Sequence, residues 1–172
     1  MRPRIATASL FAFLLGLVSP LAIFAQNDIK IEGAYHIEKN QRHGWLILNL
    51  EIPKGYHVYA LTQKGSPPPT KIDLKESEQF ELLKKFEANK KPHVVEHDPV
   101  FDQRIETYEG KIALRAPIRV ASDVDLENVD FDLKISGQLC NDSGCRLFNG
   151  KSVEIEFAGF YEKEEKKEEK EK

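Results

Sequence analysis

Residues 112–120 read Ile-Ala-Leu-Arg-Ala-Pro-Ile-Arg-Val, with an apolar side chain at every second position from Ile112 to Val120. This period of two is that of a β-strand with one face buried and the other exposed. The same alternation recurs in residues 46–52, 129–135 and 153–157. The pattern predicts a protein built mainly from strands.

Shorter strands are expected between these segments, at residues 29–31, 56–60 and 72–74. Turn-forming residues separate the strands at 53–55, 65–69, 109–110 and 149–150. One segment, residues 76–90, has helical character, although Phe80, Leu82 and Leu83 within it also fit a strand. Seven or more short strands with regular turns favour an antiparallel β-sandwich.

The charge balance restricts the class of function. The 172-residue chain carries 25 Lys and Arg against 28 Asp and Glu, a formal net charge of −3. A nucleic-acid-binding protein normally has an excess of basic residues, so this class is not expected. Apolar residues make up 41% of the chain, which is typical of a globular protein and too high for a wholly disordered one.

The two ends of the chain differ from its middle. Residues 1–25 have the features of a secretory signal peptide, because Arg2 and Arg4 precede an apolar run that ends near Ala25. An uncleaved membrane anchor is the alternative, since the apolar stretch is about 20 residues long. Residues 26–161 are expected to form the domain, and 162–172, only Glu and Lys, a charged tail. The mature protein is then expected to be a periplasmic or secreted monomer without a membrane span.

Two cysteines lie close together in Cys-Asn-Asp-Ser-Gly-Cys, residues 140–145. The residues between them are the turn formers Asn141, Asp142, Ser143 and Gly144, so the two thiols can face each other across a tight loop. The stabilisation that a disulfide gives grows with the length of the loop it closes. A short loop therefore mildly favours a reactive dithiol, but the spacing alone leaves a structural disulfide equally open.

Four segments in and around this loop resemble the N-terminal domain of the thiol:disulfide interchange protein DsbD. They read Gly-Tyr-His-Val-Tyr at 55–59, His-Asp-Pro-Val-Phe at 97–101, Glu-Thr-Tyr-Glu-Gly-Lys at 106–111 and Gly-Gln-Leu-Cys-Asn-Asp-Ser-Gly-Cys at 137–145. The resemblance extends from about Trp45 to Phe157. It implies an immunoglobulin-like sandwich with a redox-active cysteine pair at one end.

The resemblance also implies an activity, that of a thiol–disulfide oxidoreductase of the protein-disulfide reductase type. Such a domain takes electrons from a thioredoxin-like donor and passes them to oxidised periplasmic thiol proteins, with its dithiol as carrier and no bound cofactor or metal. Cys145 would form the mixed disulfide with a partner, and Cys140 would be the resolving thiol. Phe101 would cap the pair, and His57 and Tyr59 would line the site.

The chain departs from the family pattern in three respects. The family continues into a membrane domain and a thioredoxin-like domain, so an electron source on another polypeptide is expected here. Arg146 follows the second cysteine in a region where the family often has Pro, and His57 replaces a more usual aromatic residue. Two other functions stay open: a binding or scaffold sandwich with a structural disulfide, and a metal-handling protein using the cysteines with a histidine.

Other conspicuous side chains have simpler structural interpretations. His93 and His97 have the spacing of two ligands on a helix, but prolines on both sides favour a loop or strand. Trp45 begins an apolar strand and is expected in the core. Tyr56 and Tyr108 are likewise expected to have structural roles.

Overall fold

The computed structural model describes residues 28–162, and all regular secondary structure in that range is β-strand. The predicted signal peptide and nearly all of the predicted charged tail lie outside the described residues. No helix within the described range is long and apolar enough to cross a membrane. The described chain forms two six-stranded sheets that share one hydrophobic core, which confirms the predicted all-β, immunoglobulin-like sandwich.

The strands are β1 (Lys30–Glu38), β2 (His43–Glu51), β3 (His57–Tyr59), β4 (Lys71–Leu74), β5 (Phe80–Leu82), β6 (Glu87–Ala88), β7 (His93–Asp98), β8 (Gln103–Tyr108), β9 (Lys111–Val120), β10 (Leu133–Asn141), β11 (Gly144–Ser152) and β12 (Ile155–Tyr161). The first sheet has the order β12-β1-β2-β9-β5, and β6 also pairs with β9. The second has the order β11-β10-β3-β8-β7, and β4 also pairs with β10. Among the described strands, only the pair β1–β12 is parallel.

The alternation in β9 places one face of the first sheet in the core. Ile112, Leu114 and Ile118 are buried there, whereas Arg115 and Arg119 on the opposite face are exposed. β2 pairs with β9 along its whole length and buries its own leucines in the same way. Core residues from the second sheet include Val58, Leu133, Ile135 and Leu139.

Aromatic rings fill the part of the core next to β1. Tyr35 is 1% exposed, and its ring centroid lies 5.1 Å from that of Phe131 and 5.2 Å from that of Phe157. The Tyr35 hydroxyl accepts a hydrogen bond of 3.2 Å from the backbone N–H of Val129. Burial raises the pKa of Tyr35, so the hydroxyl stays protonated at neutral pH. This residue therefore connects β1 to the segment that leads into β10.

The strand predicted over residues 129–135 begins later than expected. β10 starts at Leu133 and continues to Asn141. Val129 precedes the strand, yet it is only 5% exposed, because the Tyr35 hydroxyl holds its backbone against the core. Alternate side chains of an irregular segment can thus be buried, and its sequence then shows the same period of two as a strand.

The helical character predicted for residues 76–90 is wrong. This segment contributes β5 and β6, which pair with β9. Phe80 lies opposite Val120 and is 8% exposed, and Leu82 lies opposite Ile118. Pairing with a buried central strand here outweighs the weak local preference of a Glu- and Lys-rich segment for helix.

The turn predicted at residues 149–150 is also wrong, because both residues lie within β11. The register between β10 and β11 shifts from Ile135 opposite Lys151 to Gly137 opposite Phe148, which leaves a bulge at Asn149 and Gly150. Gly150 has φ 57°, a value that suits glycine. Its N–H donates a hydrogen bond of 2.8 Å to the Ser136 hydroxyl.

Trp45 does not lie in the core as expected. It is only partly buried, and the guanidinium of Arg115 lies 5.1 Å from its ring centroid. Since Leu46 is fully buried, the alternation of β2 sends Trp45 to the outer face of the first sheet.

Candidate functional site

The hairpin formed by β10 and β11 carries both cysteines. Its loop consists of Asp142 and Ser143, between the paired residues Asn141 and Gly144. The side-chain oxygen of Asn141 accepts hydrogen bonds from the N–H groups of Ser143 (3.0 Å) and Gly144 (3.2 Å). Gly144 has φ 148°, a backbone conformation that residues with a Cβ rarely adopt. The residue types between the cysteines thus account for the tight turn.

Cys140 and Cys145 are direct cross-strand neighbours in this hairpin. They form a disulfide, and their Cα atoms are 4.0 Å apart. The pair is the next one along the ladder from Asn141 and Gly144, which close the loop. The hairpin register therefore brings the two sulfurs together.

The disulfide lies on the outer face of the second sheet. Leu139 is buried in the main core with Val58, so the alternation of β10 directs Cys140 to the opposite face. There Cys140 packs with Tyr59 and Ile105 in a small buried cluster, distinct from the main core. The bridge consequently joins neighbouring strands of one sheet and does not link the two sheets.

The two halves of the disulfide differ in exposure. Cys140 is 2% exposed, whereas Cys145 is exposed on β11, which is the edge strand of its sheet. Thiol–disulfide exchange requires access of an attacking thiolate to a sulfur along a defined direction. Cys145 is thus the half of the bridge that an external thiol or disulfide can approach.

Two predicted lining residues lie next to Cys140. His57 is the cross-strand neighbour of Cys140 in the pairing of β3 with β10, and its ring makes an edge contact with Tyr59 at a centroid distance of 5.6 Å. Burial lowers the pKa of His57, although the carboxylates of Glu109 and Asp142 act in the opposite direction. Burial raises the pKa of Tyr59, so this ring stays uncharged.

Phe101, the predicted cap, lies in the turn between β7 and β8. One carboxylate oxygen of Asp98 accepts hydrogen bonds from the N–H groups of Val100 (2.9 Å) and Phe101 (3.1 Å), which fixes the turn. Asp98 pairs with Gln103 on β8, two residues before Ile105 of the cluster. The Phe101 side chain remains 40% exposed and is not a member of that cluster.

Two residues next to the disulfide were not predicted from the sequence as part of the site. Ile105 of β8 is 5% exposed and packs on Cys140. The Gln138 side-chain oxygen lies 4.0 Å from the Cys140 sulfur. Gln138 could have been found, because residues two apart on a strand share a face. Ile105 could not, because its approach depends on the order of strands in the sheet.

The histidines of β7 do not form a metal site with other side chains. His93 and His97 are both exposed on that strand, and His97 lies 3.4 Å from a carboxylate oxygen of Asp102. Across residues 28–162, no group of three or more His, Cys, Asp or Glu side chains is arranged to hold a metal ion.

Comparison with known protein families identifies a match. A family model described as the N-terminal domain of thiol:disulfide interchange protein DsbD matches residues 27–156. The match includes both cysteines and all the strands from β1 to β11. No curated protein matches the sequence.

Proposed function

Because the chain belongs to the family of N-terminal domains of thiol:disulfide interchange protein DsbD, we propose that it is an exported thiol–disulfide exchange protein. It carries two electrons on the Cys140–Cys145 pair. Its donor is a thioredoxin-like protein, and its acceptors are oxidised periplasmic thiol proteins. The dithiol itself is the carrier, so the reaction uses no other cofactor.

The observation that carries this proposal is the unequal exposure of the two cysteines. In the reduced protein, the exposed Cys145 thiolate attacks a partner disulfide, forms a mixed disulfide and releases one partner thiolate. Cys140, which is 2% exposed, then attacks the sulfur of Cys145. The intramolecular disulfide reforms, the second partner thiolate leaves, and two electrons have passed to the partner.

The surroundings of Cys140 fit the role of a protected resolving thiol. Tyr59 and Ile105 cover it on the face of the sheet, so external reagents have poor access to it. Phe101, in the turn between β7 and β8, is proposed to cover the approach to the exposed half of the pair. A docking partner would displace this side chain, whereas a small oxidant would not.

Replacement of Phe101 by Ala is expected to speed oxidation of the reduced protein by glutathione disulfide several-fold, because the proposed cover is removed. The rate is followed by quenching with acid, alkylating free thiols and measuring mass. Val100→Ala is the matched control, since Val100 is the neighbouring apolar residue and is 81% exposed. Equal rates for both variants and the original protein would contradict the role of Phe101 as a cap.

The proposed function is tested by the reduction potential of the Cys140–Cys145 couple. The protein is equilibrated in glutathione or dithiothreitol buffers, its thiols are alkylated, and circular dichroism checks that the sheets persist. A potential above about −300 mV in the folded protein is expected for an exchangeable bridge. A much lower potential, or reduction only when the domain unfolds, would instead support a scaffold with a structural disulfide.

A further inference from the structure

His57 stands beside the buried cysteine by virtue of strand register. It lies directly opposite Cys140 in the antiparallel pair of β3 and β10. Side chains at such positions share one face of the sheet, with Cβ atoms about 4.5–5.5 Å apart. The edge contact with Tyr59 holds the imidazole against the same cluster that buries Cys140.

The resolving step of the proposed function requires Cys140 as a thiolate, and the surroundings of Cys140 disfavour that form. Only a thiolate attacks a disulfide at a useful rate. An apolar, buried setting such as that of Cys140 favours the neutral thiol over the thiolate. A proton acceptor next to Cys140 would remove this obstacle.

We propose that His57 accepts the proton of the Cys140 thiol when the mixed disulfide at Cys145 is resolved. The inference rests on the proposed exchange function and assigns a further catalytic residue to it. The imidazole takes the proton from Cys140, and the resulting thiolate attacks the sulfur of Cys145. A new bond forms between the two cysteine sulfurs, the bond from Cys145 to the partner breaks, and the imidazolium returns the proton to the departing thiolate.

The surroundings of His57 are compatible with both its neutral form before the proton transfer and its protonated form after it. Burial lowers the pKa of His57, so the neutral imidazole needed as acceptor predominates at neutral pH. Glu109, from the turn between β8 and β9, and Asp142, from the hairpin loop, both favour the protonated ring. They would therefore stabilise the imidazolium once it forms. Tyr59, on the same strand as His57, remains uncharged because burial raises its pKa.

The test follows the mixed disulfide directly. The reduced full-length protein is mixed with glutathione disulfide, quenched with acid at intervals and analysed by mass for the reduced, glutathione-bound and bridged forms. In the original protein the rate of resolution is expected to fall as the pH drops through the lowered pKa of His57, because imidazolium accepts no proton. Positioned general bases typically contribute about 10²–10⁴-fold, so His57→Phe is expected to slow resolution at pH 7 by at least about tenfold.

The pH profile distinguishes proton transfer from a packing effect. In His57→Phe, resolution is expected to keep rising with pH into the range in which the Cys140 thiol itself ionises. His36→Phe is the matched control, because His36 is a partly buried histidine on β1 of the other sheet. This control is expected to retain the original rate and profile.

A chemical rescue keeps the test valid if the larger ring of Phe disturbs the fold. Added imidazole is expected to restore resolution in His57→Ala in proportion to its concentration, and to have no effect on His36→Ala. An unchanged pH profile in His57→Phe, or no rescue of a folded His57→Ala, would overturn the assignment of His57 alone. The exchange function itself fails on a separate result, a Cys140–Cys145 bridge that is reduced only when the domain unfolds.

Discussion

Replacement of Cys145 by Ser is expected to reduce disulfide exchange to the uncatalysed level. Cys145 is the exposed member of the pair, and the remaining Cys140 is 2% exposed. No accessible thiolate therefore remains to attack a partner disulfide. The measurement is the rate at which the reduced variant, supplied with glutathione disulfide, forms adducts detectable by mass.

Cys140→Ser supplies the matched comparison for this prediction. It keeps the exposed thiol and loses the resolving one, so it is expected to accumulate a stable glutathione adduct at Cys145 in a ratio of one per chain. Both variants lose the same bridge across the same short loop, and urea unfolding should therefore give them similar stabilities. An adduct forming on Cys140 of Cys145→Ser as fast as on Cys145 of Cys140→Ser would contradict the assigned order of attack.

The second large effect concerns stability. Tyr35→Ala is expected to lower the free energy of unfolding by about 3–5 kcal/mol, the usual cost of truncating a buried aromatic side chain. The ring is 1% exposed and packs between Phe131 and Phe157, so its removal leaves a cavity next to β1. Urea unfolding followed by circular dichroism measures the change.

Tyr35→Phe separates the hydroxyl from the ring. This variant keeps the aromatic packing but leaves the N–H of Val129 without its acceptor, and an expected loss of about 1–3 kcal/mol follows. Exchange activity should persist in both variants while they are folded, because Tyr35 belongs to the first sheet and the disulfide lies on the outer face of the second. A loss for Tyr35→Ala no greater than for Tyr35→Phe would contradict the packing argument.

The parts of the fold that the sequence predicts well are strands whose neighbours are also long and regular. β2 and β9 pair along their whole length, so their alternation of apolar and polar residues matches a buried and an exposed face. Residues 76–90 could not be predicted in this way. The strand conformation of Phe80 and Leu82 depends on pairing with β9, about 40 residues later in the chain. A local sequence pattern does not indicate such a distant partner.

The candidate site shows the same limit. The turn residues between Cys140 and Cys145 predict a tight loop on local chemistry alone, and the structure has one. The register that sets His57 opposite Cys140 joins segments that lie far apart in the chain. Only the resemblance to a known family suggested that the two belong together. The unequal burial of the cysteines depends on which strand lies at the edge of the sheet, which no local pattern predicts.

The position of β11 has a consequence for solubility. An edge strand exposes unpaired backbone N–H and C=O groups, and these can recruit a strand from another molecule and begin aggregation. The bulge at Asn149 and Gly150 breaks the regular spacing of these groups, and the adjacent Lys151 adds a charge. On β11, the regular edge is thereby limited to the stretch around Cys145. The proposed exchange function needs partner access at that stretch, so the same part of β11 also carries its risk of self-association.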